Sequence, residues 1–286
     1  MTLSIKILAG YTSFGKEDPE GKELREHSKY AANFQRVGGA YDETLTLLKE
    51  FYRMGSWEAV KSAVFEENLL QKNSRHWMID ILRAIRRRYR DGRPPLPNGR
   101  LISKFVVKPV PRQSKIQALF QYLCHSDPLI DGLITGLIAP QLRNIMNFRL
   151  TKALYNDFLD KEAEVHPELA SWRPSVRGKW QRSFFAFLRS SHIMERAPSV
   201  EVRKPIVRLE AFMFILHGML DSGLSVTECL RSRLWDRYFL DSEGVEDMLG
   251  EGQRRGWLQF RRLGSIVELK TSYSSLEGWL DGALGR

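Results

Sequence analysis

The sequence lacks the marks of the common enzyme classes. It has no HExxH helix, no glycine-rich phosphate loop ending in lysine, no GxGxxG turn and no GxSxG elbow. Cysteine is scarce: Cys124 and Cys229 are too far apart for a CxxC pair or a zinc spacing. Both sit among apolar or helix-forming neighbours, which predicts reduced, packed core thiols in a cytoplasmic protein. The histidines are dispersed (His27, His76, His125, His166, His192, His217), and none is read as paired with a Cys, Asp or Glu at ligand spacing. His166, before Pro167, reads as a turn or cap residue. Long apolar runs are missing too. Leu129 to Leu142 is interrupted by Asp131 and Pro140 and falls short of the ~20 residues that cross a bilayer. It is expected to be a buried helix hairpin. Met1 to Gly10 has one lysine and a short apolar run, too little for a secretory signal. No repeat or low-complexity tract is evident.

Glu268-Leu269-Lys270 matches half of a metal-dependent nuclease signature on an expected strand. Such a site needs a second carboxylate on a neighbouring strand to hold Mg²⁺. Trp257 to Phe260 offers none. The expectation is a protein that is not an enzyme, with no catalytic residue, metal or cofactor.

What the chain has is segregated positive charge. The net charge is +10. From Gln71 to Ile116 thirteen basic residues (Lys72, Arg75, Arg83, Arg86, Arg87, Arg88, Arg90, Arg93, Arg100, Lys104, Lys108, Arg112, Lys115) face only Asp80 and Asp91. From Ser171 to Arg208 nine (Arg173, Arg177, Lys179, Arg182, Arg189, Arg196, Arg203, Lys204, Arg208) face Glu195 and Glu201. The rest of the chain is acidic. Charge gathered in this way, arginine-rich, is the electrostatic footprint of a polyanion binder.

The periodicity predicts a mainly α fold: a multi-helix globular core with a C-terminal module resembling a winged helix-turn-helix with a small β-hairpin wing. Residues 1–40 read as a polar N-terminal segment with turns at Asp18-Pro19-Glu20-Gly21 and Gly38-Gly39. Residues 41–196 read as the helical core. Leu45, Leu48, Phe51 and Tyr52 share a helix face that ends at Gly55, and Ser56 and the pair Asn73-Ser74 read as caps of the next two helices. In the second of these, Trp77, Ile81, Ile85 and Tyr89 form an apolar ridge, with Arg83, Arg86, Arg87 and Arg90 on the other side. Such a helix can dock on a core and face phosphates at once. A Pro-rich basic connection then runs to about Arg112. In a later helix Trp180, Phe184, Phe187 and Leu188 face inward, and Arg177, Lys179 and Arg182 outward. Ala197 to Pro205 reads as a boundary, and 206–286 as the winged domain. There three helices precede two short alternating runs joined by Arg261-Arg262-Leu263-Gly264, the order of that motif. Glu243, Glu246, Asp247 and Glu251 on the third helix would repel phosphate, so Arg254, Arg255, Arg261 and Arg262 would have to make any contact. A generic α+β interaction domain is the alternative.

Several blocks also resemble the BrxA family of BREX bacteriophage-exclusion systems. They are Tyr11-Thr12-Ser13-Phe14, Trp57-Glu58-Ala59-Val60, Glu67-Asn68-Leu69-Leu70-Gln71, Arg86-Arg87-Arg88-Tyr89 and Asn156-Asp157-Phe158-Leu159. The most specific is Lys161-Glu162-Ala163-Glu164-Val165-His166-Pro167-Glu168-Leu169, followed by Ser175-Val176-Arg177-Gly178-Lys179. The resemblance spans Tyr11 to Met194. It implies a helical, non-catalytic part of a multi-protein phage defence, binding double-stranded DNA beside other defence proteins; some members have been likened to a NusB-type RNA-binding fold. The module after Val200 is expected to extend beyond the family core.

Duplex DNA is thus the expected partner, gripped through phosphates by Arg83, Arg86, Arg87, Arg90, Arg93, Arg173, Arg177, Lys179 and Arg182, with Arg254, Arg255, Arg261 and Arg262 added from the module. The alternatives are RNA, with Trp77, Tyr89, Phe105, Trp172 and Trp180 as stacking platforms, and a protein scaffold whose basic segments meet acidic partners. No membrane partner is expected. Oligomeric state is not legible.

Overall fold

Polar side chains set many of the helix starts. The computed structural model describes residues 7–8, 30–90, 93–264 and 266–285; the Tyr11–Phe14 motif, the turn at 18–21, His27 and Asp91 lie outside them. A short helix, α1 (Phe34–Val37), precedes α2 (Tyr41–Met54), which stops at Gly55 with φ 69°. Ser56 Oγ accepts from the Ala59 N–H (3.3 Å) to open α3 (Trp57–Glu66), and Ser74 Oγ accepts from the Trp77 N–H (3.2 Å) to open α4 (Arg75–Ile85). The expected caps are therefore in place. The last turn of α4 widens into a π turn, Arg86–Arg90.

The Pro-rich connection is mostly a helix. Asn98 Oδ1 accepts from the N–H groups of Arg100 and Leu101 and starts α5 (Gly99–Val107). Ile102, Phe105 and Val106 recur at helical spacing and are buried. Pro94, Pro95 and Pro97 lie before this helix and Pro109 and Pro111 after it, so they bound it instead of breaking it. Next comes α6 (Arg112–Ser126). The expected hairpin over 129–142 is instead one continuous helix: α7 (Pro128–Gly132), a π segment (Leu133–Ile138) and α8 (Ala139–Asn144). Pro140 has no N–H to donate, and the Ala139 N–H reaches back five residues to the Ile134 carbonyl. Widening the turn admits the proline without ending the helix.

The chain continues through α9 (Lys152–Glu162), α10 (Pro167–Ala170), α11 (Pro174–Ser190), α12 (Leu209–Asp221), α13 (Val226–Leu230), α14 (Ser242–Arg254) and α15 (Leu276–Gly282). Among the described residues the fold is mainly helical, with two small antiparallel sheets. One joins β2 (Asn147–Arg149) to β3 (Glu201–Arg203). The other has the order β1-β5-β4, from β1 (Ile7–Leu8), β4 (Leu258–Leu263) and β5 (Ile266–Thr271). Three helices then a hairpin, the expected order, are present. Arg261 and Arg262, however, lie within β4, opposite Glu268 and Val267, and not in the connection.

Residues on both sides of the expected boundary at 197–205 share one core. Phe105 of α5 stacks on Phe214 of α12 at 4.6 Å. Gln117 of α6 donates to the Ile206 carbonyl (2.8 Å) and accepts from the Arg208 N–H (2.8 Å). The Tyr238 hydroxyl donates to the Gln117 carbonyl at 2.8 Å. Arg237, buried, reaches Asp131 of α7 at 2.7 Å. Apolar burial across this seam, worth roughly 25 cal/mol per Å², binds the C-terminal helices to the rest.

Candidate nucleic-acid interface

Helix α4 presents two chemically opposite faces. Met78, Ile81, Ile85 and Tyr89 are buried, and Trp77 is half-buried beneath Lys72 Nζ, 5.0 Å from its ring centroid. Arg83, Arg86 and Arg87 are exposed, and among the described residues none of their side chains makes a hydrogen bond or ion pair. Arg93 is exposed as well. Arg88 points the other way: it is buried, donates to the Gly38 carbonyl at 2.9 Å, and its burial lowers its pKa. Arg90 is half-buried where α5 begins; a Cβ on Gly99 would come within 2.6 Å of the Arg90 carbonyl oxygen, so glycine is needed there.

Helix α1 brings the two arginine-bearing helices together. Phe34 packs on Trp180 (5.5 Å between centroids) and Phe187 (5.6 Å) of α11, and takes the Arg88 guanidinium over its ring at 5.8 Å. Ser183 Oγ of α11 donates to the Gln35 carbonyl at 3.4 Å. Arg36, exposed and without an ion pair among the described residues, joins Arg83 and Arg87 around a cleft of about 280 Å³. Asp80 lines the same cleft and lies 3.5 Å from His76, a pairing that the dispersed histidines did not suggest. Arg36 was missed because it sits in the segment read as polar, outside both basic runs. No local pattern marks it; its neighbours across the fold do.

On α11, Arg173, Lys179 and Arg182 are exposed and without ion pairs among the described residues. Arg177 is not available in the same way. It donates to Asp160 at 2.5 Å and to the Leu169 carbonyl at 3.2 Å, fastening α11 to α9 and α10. Arg189 likewise serves the Glu195 and Ser199 carbonyls.

Much of the remaining charge in the first basic run is neutralised. Lys104 meets Asp281 (2.7 Å) and Glu277 (3.0 Å), and Lys108 meets Asp281 at 3.1 Å. Burial opposes the Lys104 charge, but the two carboxylates outweigh it and raise the pKa. Arg112 pairs with Asp42 and Lys72 with Glu43. The module shows the same cancellation. Arg254 donates to Glu251 (2.6 Å), Arg255 lies 3.7 Å from Glu251, and Arg262 pairs with Glu246. The acidic face of α14 thus holds three of the four module arginines expected to meet DNA. Arg261 is exposed, opposite Glu268 in the strand register.

The other residues singled out in the sequence have structural surroundings. His166 is buried, stacked on Tyr30 (3.8 Å between centroids), with Nδ1 3.5 Å from Glu168. The same Glu168 accepts from the Tyr30 N–H (2.7 Å), and Glu162 accepts from the Tyr30 hydroxyl (2.7 Å). Hence the block 161–169 clamps the start of the described core. Of the proposed stacking platforms, Tyr89, Phe105 and Trp180 are fully buried. Cys124 and Cys229 are free and buried, and burial pushes both thiols up, Cys229 to about 12. Among the described residues there is no group of three His, Cys, Asp or Glu placed to hold a metal. None of their helices is long and apolar enough to cross a membrane.

Comparison with known proteins adds the family. An uncharacterized protein from Magnetospirillum magneticum, solved as a crystal structure, is similar in fold with a TM-score of 0.55 at 15% identity, over 68% of this chain and 96% of that one. No curated protein matches. The BrxA family profile matches residues 28–217, a span that includes the arginine ridge, the Tyr30 clamp, α11 and most of α12. The matched region thus crosses the expected boundary at 197–205 and runs past Val200. The chain belongs to the BrxA family, components of BREX phage-defence systems.

Proposed function

We propose that the protein is a non-enzymatic, double-stranded DNA-binding subunit of its defence system. The observation that carries this reading is the contrast on one helix. Arg83, Arg86 and Arg87 stand exposed without ion pairs among the described residues, while Lys104, Lys108, Arg112, Arg177, Arg254, Arg255 and Arg262 are held by carboxylates. Unpaired guanidinium groups fit phosphate oxygens as bidentate donors and need no acid removed first. Arg36 extends the ridge, and α11, which packs on α1 through Phe34, adds the exposed cations Arg173, Lys179 and Arg182. Arg93 and Arg261 contribute long-range attraction. Phosphate contacts of this kind position a duplex and do not read its sequence.

The C-terminal module would then be winged-helix-like in topology without using its third helix as a reader, since Glu243, Glu246, Asp247 and Glu251 oppose a phosphate backbone. RNA is the weaker reading, because three of its five stacking residues are core. Contact with another defence protein has one observation in its favour: Met146 and Ile206 are 74% and 82% exposed at the end of the β2–β3 pair. A competition assay separates these readings. Unlabelled duplex DNA should displace a labelled duplex at least as well as single-stranded RNA of equal length. RNA as the better competitor, or no shift at low salt, would end the DNA reading.

A further inference from the structure

Beside the ridge, between α3 and α4, lies a second cleft of about 430 Å³. Phe65, Ile79 and Leu82, each half-buried, give it an apolar wall, which Trp57, stacked on Phe51 at 4.7 Å, completes. The rim is charged: Lys61, Arg75, Arg83 and Arg86 stand against Glu58. None of these four cations is ion-paired among the described residues. The Arg75 guanidinium is held over the Phe65 ring, 5.1 Å from its centroid.

A ligand for this cleft has to combine a flat apolar body with negative charge, at a size that a few hundred cubic ångströms can hold. A nucleotide has that chemistry. Its base can lie against the apolar wall and the Arg75 plane, and its phosphate can meet the rim. A paired base in a duplex cannot enter, because it is stacked and hydrogen-bonded to its partner. Arg83 and Arg86 belong to both the cleft rim and the ridge, so a strand on the ridge passes the cleft mouth.

We propose that this cleft takes a single unpaired nucleotide from a DNA strand whose phosphates lie along α4. The source of the strand rests on the DNA reading above; the chemistry of the cleft does not. The test compares the full chain on two labelled duplexes of equal length, one fully paired and one with a single-base bulge. The bulged duplex should bind about tenfold more tightly, the effect of one stacked base. Ile79→Phe, which narrows the cleft and leaves every cation in place, should erase that preference without weakening binding to the paired duplex. Phe65→Ala, which removes the wall, should erase it too. Calorimetric titration with dAMP gives a separate readout, with heat of binding in the wild type and none in Ile79→Phe.

Equal affinity for the two duplexes would overturn the inference and leave the DNA reading standing. Binding of dAMP in the cleft by a chain that binds no duplex would end the DNA reading and with it the source of the strand, and leave only the nucleotide chemistry of the cleft standing. An acidic peptide with one aromatic residue that occupies the cleft where dAMP does not would overturn the nucleotide assignment.

Discussion

Arg88 lies over the face of Phe34, 5.8 Å from the ring centroid, and donates to the Gly38 carbonyl at 2.9 Å. Its neighbour Arg87 is exposed and unpaired among the described residues. Two adjacent arginines thus have different physical tasks. Arg88→Ala leaves the half-buried Gly38 carbonyl without its donor and a hole beside Phe34, and should cost about 2–3 kcal/mol in urea unfolding. Arg87→Ala should change stability by less than about 0.5 kcal/mol and weaken DNA binding. The reverse pattern would mean that the two faces of the helix have been misassigned.

Arg237 and Asp131 form a buried pair between the C-terminal region and α7, with Arg237 also 3.5 Å from the Gln121 carbonyl. Burial opposes the Arg237 charge, yet Asp131 outweighs it and raises the pKa. Asp131→Ala strands the guanidinium and should cost about 3–5 kcal/mol. If the two sides of the seam fold as one unit, that loss appears as one cooperative transition. Two separated transitions in the variant would show that the parts fold independently.

The helices and their caps were legible because the signals are local. Ser56 and Ser74 cap as their positions suggest, Asp241 caps α14, and α15, which the sequence reading did not include, follows a Ser275 cap before Leu276, Trp279 and Leu280. The ridge of α4 was legible for the same reason. The neutralised charges were not. Lys104 finds Asp281 at a sequence separation of 177 residues, and Arg112 finds Asp42 at 70. Counting charge along a segment cannot show which cations tertiary contacts will consume. Arg36 is the converse case, an isolated arginine carried to the ridge by Phe34.

His217 is buried against Trp279, 5.5 Å between ring centroids, and burial lowers its pKa from 6.5 to about 4. The unfolded chain therefore binds the proton first. Stability contributed by the neutral ring is intact above pH 6.5 and is lost as the pH falls toward about 4, by about 3 kcal/mol in all. His217→Phe keeps the stack and removes the proton site. Its urea midpoint should vary less between pH 7 and 4 than that of the wild type; an unchanged dependence would rule out His217 as the source.

The acidic face of α14 masks Arg254, Arg255 and Arg262. Replacing Glu246 and Glu251 by glutamine should release those cations and strengthen duplex binding at low salt. Arg262→Ala in the native background should have little effect on it. A large loss with Arg262→Ala would place the hairpin on the DNA as a true wing.

The proposed duplex binding requires that exposed guanidinium groups of one helix and its neighbour meet phosphate. The direct measurement is duplex affinity as a function of salt, for the wild type and for the Arg36, Arg83, Arg86, Arg87→Ala variant. Each lost phosphate contact lowers the slope of log affinity against log salt by about 0.9, so the fourfold variant should be flatter by about 3–4. A variant that folds normally and retains the wild-type slope would contradict the account.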